Sequence, residues 1–189
     1  MNPIINLNFE PFPVLETSRL RLRRLEVSDV NEVLEMRSNP KTMQFIPRPL
    51  LKNSEEALSH IKMIEDCIAN KVAVNWAICL KDDPKMIGII GHYRIQSENF
   101  RAEVGYILME DFQHFGFATE AVKEVLKFGF EIMNLHSIEA VIDPENFASE
   151  KVLLKNGFIK EGHFVENEFF DGRFLDAKIY SLLKRNFKS

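Results

Sequence analysis

Long apolar runs are missing from this chain. Over its 189 residues no stretch approaches the roughly 20 that a membrane-spanning helix needs. The opening MNPIINLNFEPFP has neither a basic leader segment nor a sustained apolar one. The expectation is a cytoplasmic protein with no membrane partner. Cysteine is scarce: Cys67 and Cys79 fall in segments that read as a helix and a strand, with no metal-ligand spacing, and are expected to be buried free thiols. A basic excess is missing too, because a net charge of -4 offers nothing to grip nucleic acid along its phosphates. An acidic ligand would have to be held locally. Neither the Gly-Lys-Ser/Thr of a P-loop nor the G-x-G-x-x-G of a dinucleotide fold occurs. No histidine has a partner at catalytic or metal spacing, so His92 and His136 read as structural and no metal is expected. Repeats, low-complexity tracts and linkers are absent as well.

What is present reads as one ordinary globular domain, with 46% hydrophobic and 28% charged residues. Residues 1–13 are Pro-rich and nearly uncharged, which suggests an extended arm whose Phe9 and Phe12 pack on the domain or on a neighbouring subunit. Residues 14–189 form the domain itself. TSRLRLRRL alternates arginine with Leu20 and Leu22, the period of a half-buried strand. Ser28 and Asp29 offer an N-cap to a helix that ends before Pro40. A second helix, from about Ser54 to Asn70, carries Ala57, Leu58, Ile61, Ile64 and Ile68 at helical spacing. VAVNWAICL and KMIGIIGHYRI read as a hairpin turning at Lys81 to Pro84, and AEVGYILM as a third consecutive strand. Then the pattern alternates: a helix from Phe117 to Met133 with Ile132 on its buried stripe, the strand SIEAVI, and a compact helix capped by Asn146 with Gly157 just past its end. Two last strands are separated by the Asp171-Gly172 turn.

One stretch, EVGYILMEDFQHFGFATEAV, runs from strand to helix through a polar loop with a single glycine. The first turn of a helix has unpaired N–H groups and a partial positive charge, so the N–H groups of Phe115 through Ala118 form a candidate anion cradle. On this loop alone, a plain strand-to-helix connection reads equally well.

QHFGFA, followed some thirty residues later by NFASEKVLLKNGF, resembles the paired motifs of the GNAT superfamily of acetyl-CoA-dependent N-acetyltransferases. LETSRLRLRRLEVSDVNEVLEM, WAICLKDDPKMIGIIGHY and DGRFLDAKIYSLLKR extend the likeness to its Rim-type subfamily, named for enzymes that acetylate ribosomal-protein N-termini. The resemblance covers about residues 14 to 185. It implies a mixed α/β (α+β) fold, with a central sheet of about seven strands, largely antiparallel with one splayed parallel pair, flanked by about four helices. It also implies acetyl-CoA as co-substrate, no metal, a primary amine as acceptor with a protein N-terminus foremost, and a monomer or homodimer. The backbone of Gln113, His114, Phe115, Gly116, Phe117, Ala118 and Thr119 would hold the coenzyme A pyrophosphate, Ile107 and Leu108 would pair with the pantetheine arm, and Asn146 and Ser149 would lie beside the arm and its sulfur. The family usually has a small residue where His114 stands and often a basic one where Phe115 stands. Asn146 reads equally well as a plain helix cap.

Acetyl transfer needs a neutral amine near the thioester carbon, a donor for the developing oxyanion and a route for the departing thiolate. A backbone N–H near Ile107 or Leu108 would serve the oxyanion. Glu103 matches a common family glutamate, and Glu168, in FVENEFF, matches a second acidic position that the Rim-type likeness implicates in handling the amine proton. Each reads equally well as an exposed glutamate in a salt bridge. Many members place a tyrosine acid four residues before the second Gly-Phe; here that position is Leu153, which leaves Ser149, through a water, as the helper. Tyr106 and Tyr180 are alternative acids, though each reads better as an aromatic packing on its strand. Arg48 and Lys52, in a loop that would meet the acceptor, could greet an acidic peptide but read better as solvated. Small amines as acceptors, and acyl-CoA binding without turnover, remain the alternative functions.

Overall fold

The computed structural model describes residues 4–188. The chain runs β1 (Leu15–Glu16), β2 (Leu20–Arg23), α1 (Val30–Ser38), α2 (Pro40–Met43), α3 (Ser54–Ala69), β3 (Val74–Leu80), β4 (Asp83–Gln96), β5 (Arg101–Leu108), α4 (Phe117–Lys127), β6 (Ser137–Ile142), α5 (Phe147–Lys155), β7 (Ile159–Phe170) and β8 (Arg173–Leu183). All the strands join one sheet in the order β1-β2-β3-β4-β5-β6-β8-β7. Every pairing is antiparallel except β5 with β6. The mixed α/β fold implied by the resemblance is therefore present, with eight strands rather than about seven and five α-helices rather than about four. The additions are the two-residue β1 and the four-residue α2. Neither is long enough to show a hydrophobic period.

Alternation along β4 separates the two faces of the sheet. His92 meets the Val125 carbonyl on α4 at 3.0 Å, whereas Tyr93 turns toward Arg37 of α1. Helices α4 and α5 cover the first face, α1 and α3 the second. Trp76 and Tyr180 are fully buried, and Trp76 is wedged between Phe12 and Phe128 at 6.0 and 5.2 Å. The arm packs on its own domain: the Asn6 N–H donates to the Met133 carbonyl at 3.0 Å, the Trp76 indole donates to the Pro13 carbonyl at 2.7 Å, and Phe9 is buried.

Three local expectations need correction. Asp29 does not cap α1. It sits in a short 3-10 turn, accepts from the Glu26 N–H and is held by both Arg23 nitrogens at 2.7 and 2.8 Å. The Phe117 helix leaves α geometry at Lys127 and passes through a π-turn over Phe128–Ile132, which rotates Ile132 out to solvent. Within this turn Gly129 packs so closely that a Cβ would lie 2.7 Å from His92 Nε2. Leu58, on the edge of the α3 stripe, is exposed while Ala57, Ile61, Ile64 and Ile68 are buried.

Candidate active site

The site begins where the sheet opens. Strand β5 stays hydrogen-bonded to β4 as far as Leu108, opposite Gly88. Its other edge pairs in parallel with β6 only from Arg101 to Glu103, opposite Ser137 to Glu139. Beyond that point β6 follows β8, with Ile142 opposite Lys178, and the two strands part. Val104 through Leu108 thus leave an open β edge, a row of unpaired backbone groups that an extended molecule can join as a further strand.

At the end of that edge the chain turns into the cradle. The Gln113 side chain closes the strand by donating to the Leu108 carbonyl at 3.0 Å. His114 and Gly116 adopt φ of +68° and +82°, and α4 starts at Phe117. Among the described residues, the backbone N–H groups of His114 through Thr119 donate to no protein acceptor. The loop is held from behind by residues that the sequence reading passed over. Arg19 donates to the Phe115 carbonyl at 3.0 Å, lies 4.6 Å over the Phe117 ring and pairs with Glu120 at 2.7 Å. Glu120 also accepts from the Thr17 and Ser18 hydroxyls and from the Arg19 N–H. Burial alone would raise its carboxyl pKa, but these hydrogen bonds more than offset that and hold it at about 2. In TSRLRLRRL only the strand period was legible; the reach from Arg19 to Glu120, about a hundred positions away, left no local mark.

Cradle and open edge border one groove of about 440 Å³, closed on its far side by the segment from Lys41 to Ile46 and by α5. Ile107, Leu108, Gln113, His114, Gly116, Phe117, Ala118, Thr119, Asn146 and Ser149 all line it. Phe115 does not. Its side chain is 62% exposed, with the ring 5.9 Å from that of Phe117, and its carbonyl accepts from Arg19 behind the loop. The unpartnered N–H groups suit a diphosphate and the strand edge suits an amide-bearing arm, so the residues present fit coenzyme A.

Ser149 and Tyr106 meet across the groove. Tyr106, expected chiefly to pack, has its hydroxyl 2.7 Å from Ser149 Oγ, and burial pushes the phenol pKa up to about 12, so it stays protonated. A phenol is the better donor of the two, which leaves the serine proton free to point elsewhere. The Ser149 N–H donates to Asn146 Oδ1 at 3.0 Å, so Asn146 is a helix cap at the groove's rim. Leu153 is wholly buried and presents nothing to the groove. Tyr180 is also buried in the core, with its hydroxyl on Glu150.

The two candidate glutamates lie outside the groove lining. Glu103 stands at the last parallel pair, side by side with Glu139, on the face that carries Tyr93. Only 15% of its side chain is exposed, and Arg94 holds it at 2.7 Å. Burial raises the Glu103 pKa and Arg94 opposes the rise. Glu168, on β7, is half-exposed and paired with Arg48 at 2.8 Å, so Arg48 is not simply solvated. Both cysteines are free, Cys79 buried and Cys67 partly so. His92 is buried, and desolvation holds it neutral with a pKa of about 4. Among the described residues no helix is long and apolar enough to cross a membrane, and no group of three or more His, Cys, Asp or Glu side chains gathers as a metal site.

Comparison with known proteins agrees with this geometry. Residues 19–159 match the family model described as an acetyltransferase (GNAT) domain. The N-acetyltransferase p20 of Bacillus licheniformis is 36% identical over 173 residues, 92% of this chain and 97% of that protein. A GNAT-family acetyltransferase structure from Bacillus anthracis is 26% identical with a TM-score of 0.82, covering 92% of this chain and 99% of that one. A spermidine N-acetyltransferase structure from Vibrio cholerae, in complex with CoA and spermine, is 25% identical with a TM-score of 0.79, covering 90% and 98%. The chain therefore belongs to the GNAT N-acetyltransferase family, acyltransferases that draw the acetyl group from acetyl-CoA.

Proposed function

We propose that residues 14–189 catalyse acetyl transfer from acetyl-CoA to the α-amine of a protein or peptide N-terminus, in a cytoplasmic setting, by direct attack within a ternary complex. The observation that carries this reading is the parting of β5 and β6 just after Glu103. It leaves an unpaired strand edge that runs from Glu103, whose carboxyl pKa burial raises, toward the unpartnered N–H cradle.

In this mechanism the cradle fixes the diphosphate, and the β5 edge at Ile107 and Leu108 holds the pantetheine arm and supplies an N–H to the oxyanion. Glu103, through a water, takes the proton that the attacking amine loses. Its raised pKa makes it a better base at neutral pH than an ordinary carboxylate. The Ser149 hydroxyl, oriented by Tyr106, gives a hydrogen bond to the sulfur, directly or through a water, and keeps its proton as the C–S bond breaks and coenzyme A leaves as the thiolate. Glu168, paired with Arg48 at the surface, orders the acceptor's approach.

Chemistry favours an α-amine. With a pKa near 8 against 10.4 for lysine, it is neutral several hundred times more often at pH 7, a head start of roughly 3 kcal/mol. The sequence likeness to the Rim-type subfamily supports the same acceptor. The test is thiol release from acetyl-CoA with a panel of N-terminal peptides, polyamines and other small amines, comparing wild type with Glu103→Gln and Glu168→Gln. Turnover of peptides, lost in Glu103→Gln, is the expected result. Turnover of small amines alone would overturn the acceptor assignment, and coenzyme A binding with no thiol release from any amine would make the protein a sensor.

A further inference from the structure

The face of the sheet from which an amine would reach Glu103 has an uneven charge balance. Its carboxylates are matched one to one: Glu103 with Arg94 at 2.7 Å, Glu139 with Arg101 at 2.7 Å and Glu168 with Arg48 at 2.8 Å. One guanidinium there has no match. Arg37, in the last turn of α1, makes no salt bridge and no side-chain hydrogen bond among the described residues, and its Nε is shut away from solvent without a partner. By contrast Arg19, Arg23, Arg24, Arg48, Arg94 and Arg101 each hold a carboxylate.

Nothing around Arg37 compensates it. Its electrostatic neighbours are Tyr93 and a second guanidinium, Arg48. His60, also within its reach, stays neutral, with a pKa lowered to about 4 by burial first and by the Arg37 charge second. Tyr93 ties this cluster to the reaction. It is the register partner of Glu103, and its ring covers Gly105, where a Cβ would lie 3.0 Å from the ring carbon Cε2. The Arg37 carbonyl accepts from the Leu51 N–H at 3.2 Å, so the loop that carries Arg48 is fastened to the same place. Asn75, 1% exposed, lies beside the Tyr93 hydroxyl and lowers its pKa by hydrogen bonding, against the larger rise that burial causes. Arg37 as a whole is partly exposed, but a guanidinium whose Nε is desolvated without a partner is costly to keep unless something pairs with it during function.

We propose that Arg37 receives an anionic group carried by the acceptor, so that the preferred substrate is an amine bearing a carboxylate close to its N-terminus rather than a polyamine. This rests on the acyl-transfer reading of the site. A peptide whose second or third residue is Asp or Glu supplies the carboxylate. A polyamine brings further ammonium groups to a surface whose carboxylates are already taken and whose spare charge is positive.

The experiment measures kcat/KM by thiol release for peptides identical except for Asp, Ser or Lys at positions two and three, with spermidine and a free acidic amino acid in parallel. Wild type is expected to favour the Asp peptide over the Lys peptide by about tenfold or more, with the ratio shrinking as salt is raised. In Arg37→Met the ratio should collapse toward one, and Arg37→Lys should restore part of it. Equal rates across the peptides, or a preference for spermidine, overturns the proposal while leaving acetyl transfer intact. Should no acceptor turn over, calorimetry with coenzyme A present separates the two claims: tighter binding of the Asp peptide than the Lys peptide upholds Arg37 and sinks the catalytic reading, and equal or absent binding sinks both. If Arg37→Met fails to fold, the salt dependence and peptide ranking of wild type decide alone.

Discussion

Replacing Glu120 with glutamine tests the support behind the cradle. The carboxylate accepts from Thr17, Ser18 and the Arg19 backbone and pairs with the Arg19 side chain at 2.7 Å, which together hold its pKa near 2 against an ordinary 4.5. A difference of about 2.5 units is worth roughly 3.4 kcal/mol at neutral pH. The Arg19 side chain is 47% exposed, so solvent screening reduces this to about 2 kcal/mol. The sign follows from the depressed pKa: the stabilisation is complete above the unfolded value and drains away as pH falls from about 5 toward 2. Glu120→Gln should therefore lower Tm by about 4–8 °C at pH 7. It should lose little further stability between pH 5 and 3, so the two proteins converge in acid. Because Arg19 also fixes the Phe115 carbonyl, the variant should bind acetyl-CoA more weakly while kcat at saturation changes less. Thermal denaturation at pH 7, 5 and 3, with KM for acetyl-CoA, measures all of this. A stability gap that stays constant with pH would refute the assignment of the shift to Glu120, and an unchanged KM would refute its link to the cradle.

Glu103→Gln should lower kcat by roughly 10² to 10⁴. In wild type the acid limb of the rate profile should lie above the ordinary glutamate range, since burial raises this carboxyl and the base works only when ionised; a limb at or below that range would contradict the assignment. Tyr106→Phe removes one hydrogen bond to Ser149 Oγ, worth about 1 kcal/mol, and should slow turnover about fivefold, with no additional loss when Ser149 is already alanine. Independent, additive losses would separate the two hydroxyls. Gly116→Ala has side-chain room, with Arg19 Nη2 3.5 Å away, but must hold φ at +82°, which costs roughly 1–2 kcal/mol, so coenzyme A binding measured by calorimetry should weaken about tenfold.

Much of the framework was legible because it repeats with a short period. Leu20 and Leu22, the α3 stripe, the Asp171-Gly172 turn and the Asn146 cap are all encoded within a few neighbouring residues, and each formed at its expected position. What escaped the sequence depends on distant partners. The π-turn at Phe128 packs its Gly129 against His92 on another strand, and the true partner of Asp29 is Arg23 on β2 rather than the α1 backbone. The same division holds in the site. The loop from Gln113 to Thr119 was visible as a motif, whereas the meeting of Tyr106 with Ser149, and the isolation of Arg37, exist only once the sheet has brought them together.

The departures at His114 and Phe115 show how little the cradle asks of its side chains. A small residue and a basic one are usual there, yet His114 reaches φ of +68° with its N–H unpartnered, and the exposed Phe115 ring contributes nothing to the groove. The charge missing from Phe115 is not simply lost from the neighbourhood. Arg19 brings a guanidinium behind the same turn, but Glu120 neutralises it, so the loop gains shape rather than net charge. In the proposed reading the unpartnered N–H groups and the α4 dipole hold the diphosphate, and Lys151 and Lys155, which line the same groove, are the side-chain cations that could add to them; salt screens the backbone contribution less than it screens an exposed lysine. If the backbone turn dominates over those lysines, coenzyme A binding should vary little between low and moderate ionic strength, in contrast to the acceptor preference assigned to Arg37. A steep salt dependence of coenzyme A binding would mean that side-chain charge, and not this backbone turn, holds the diphosphate.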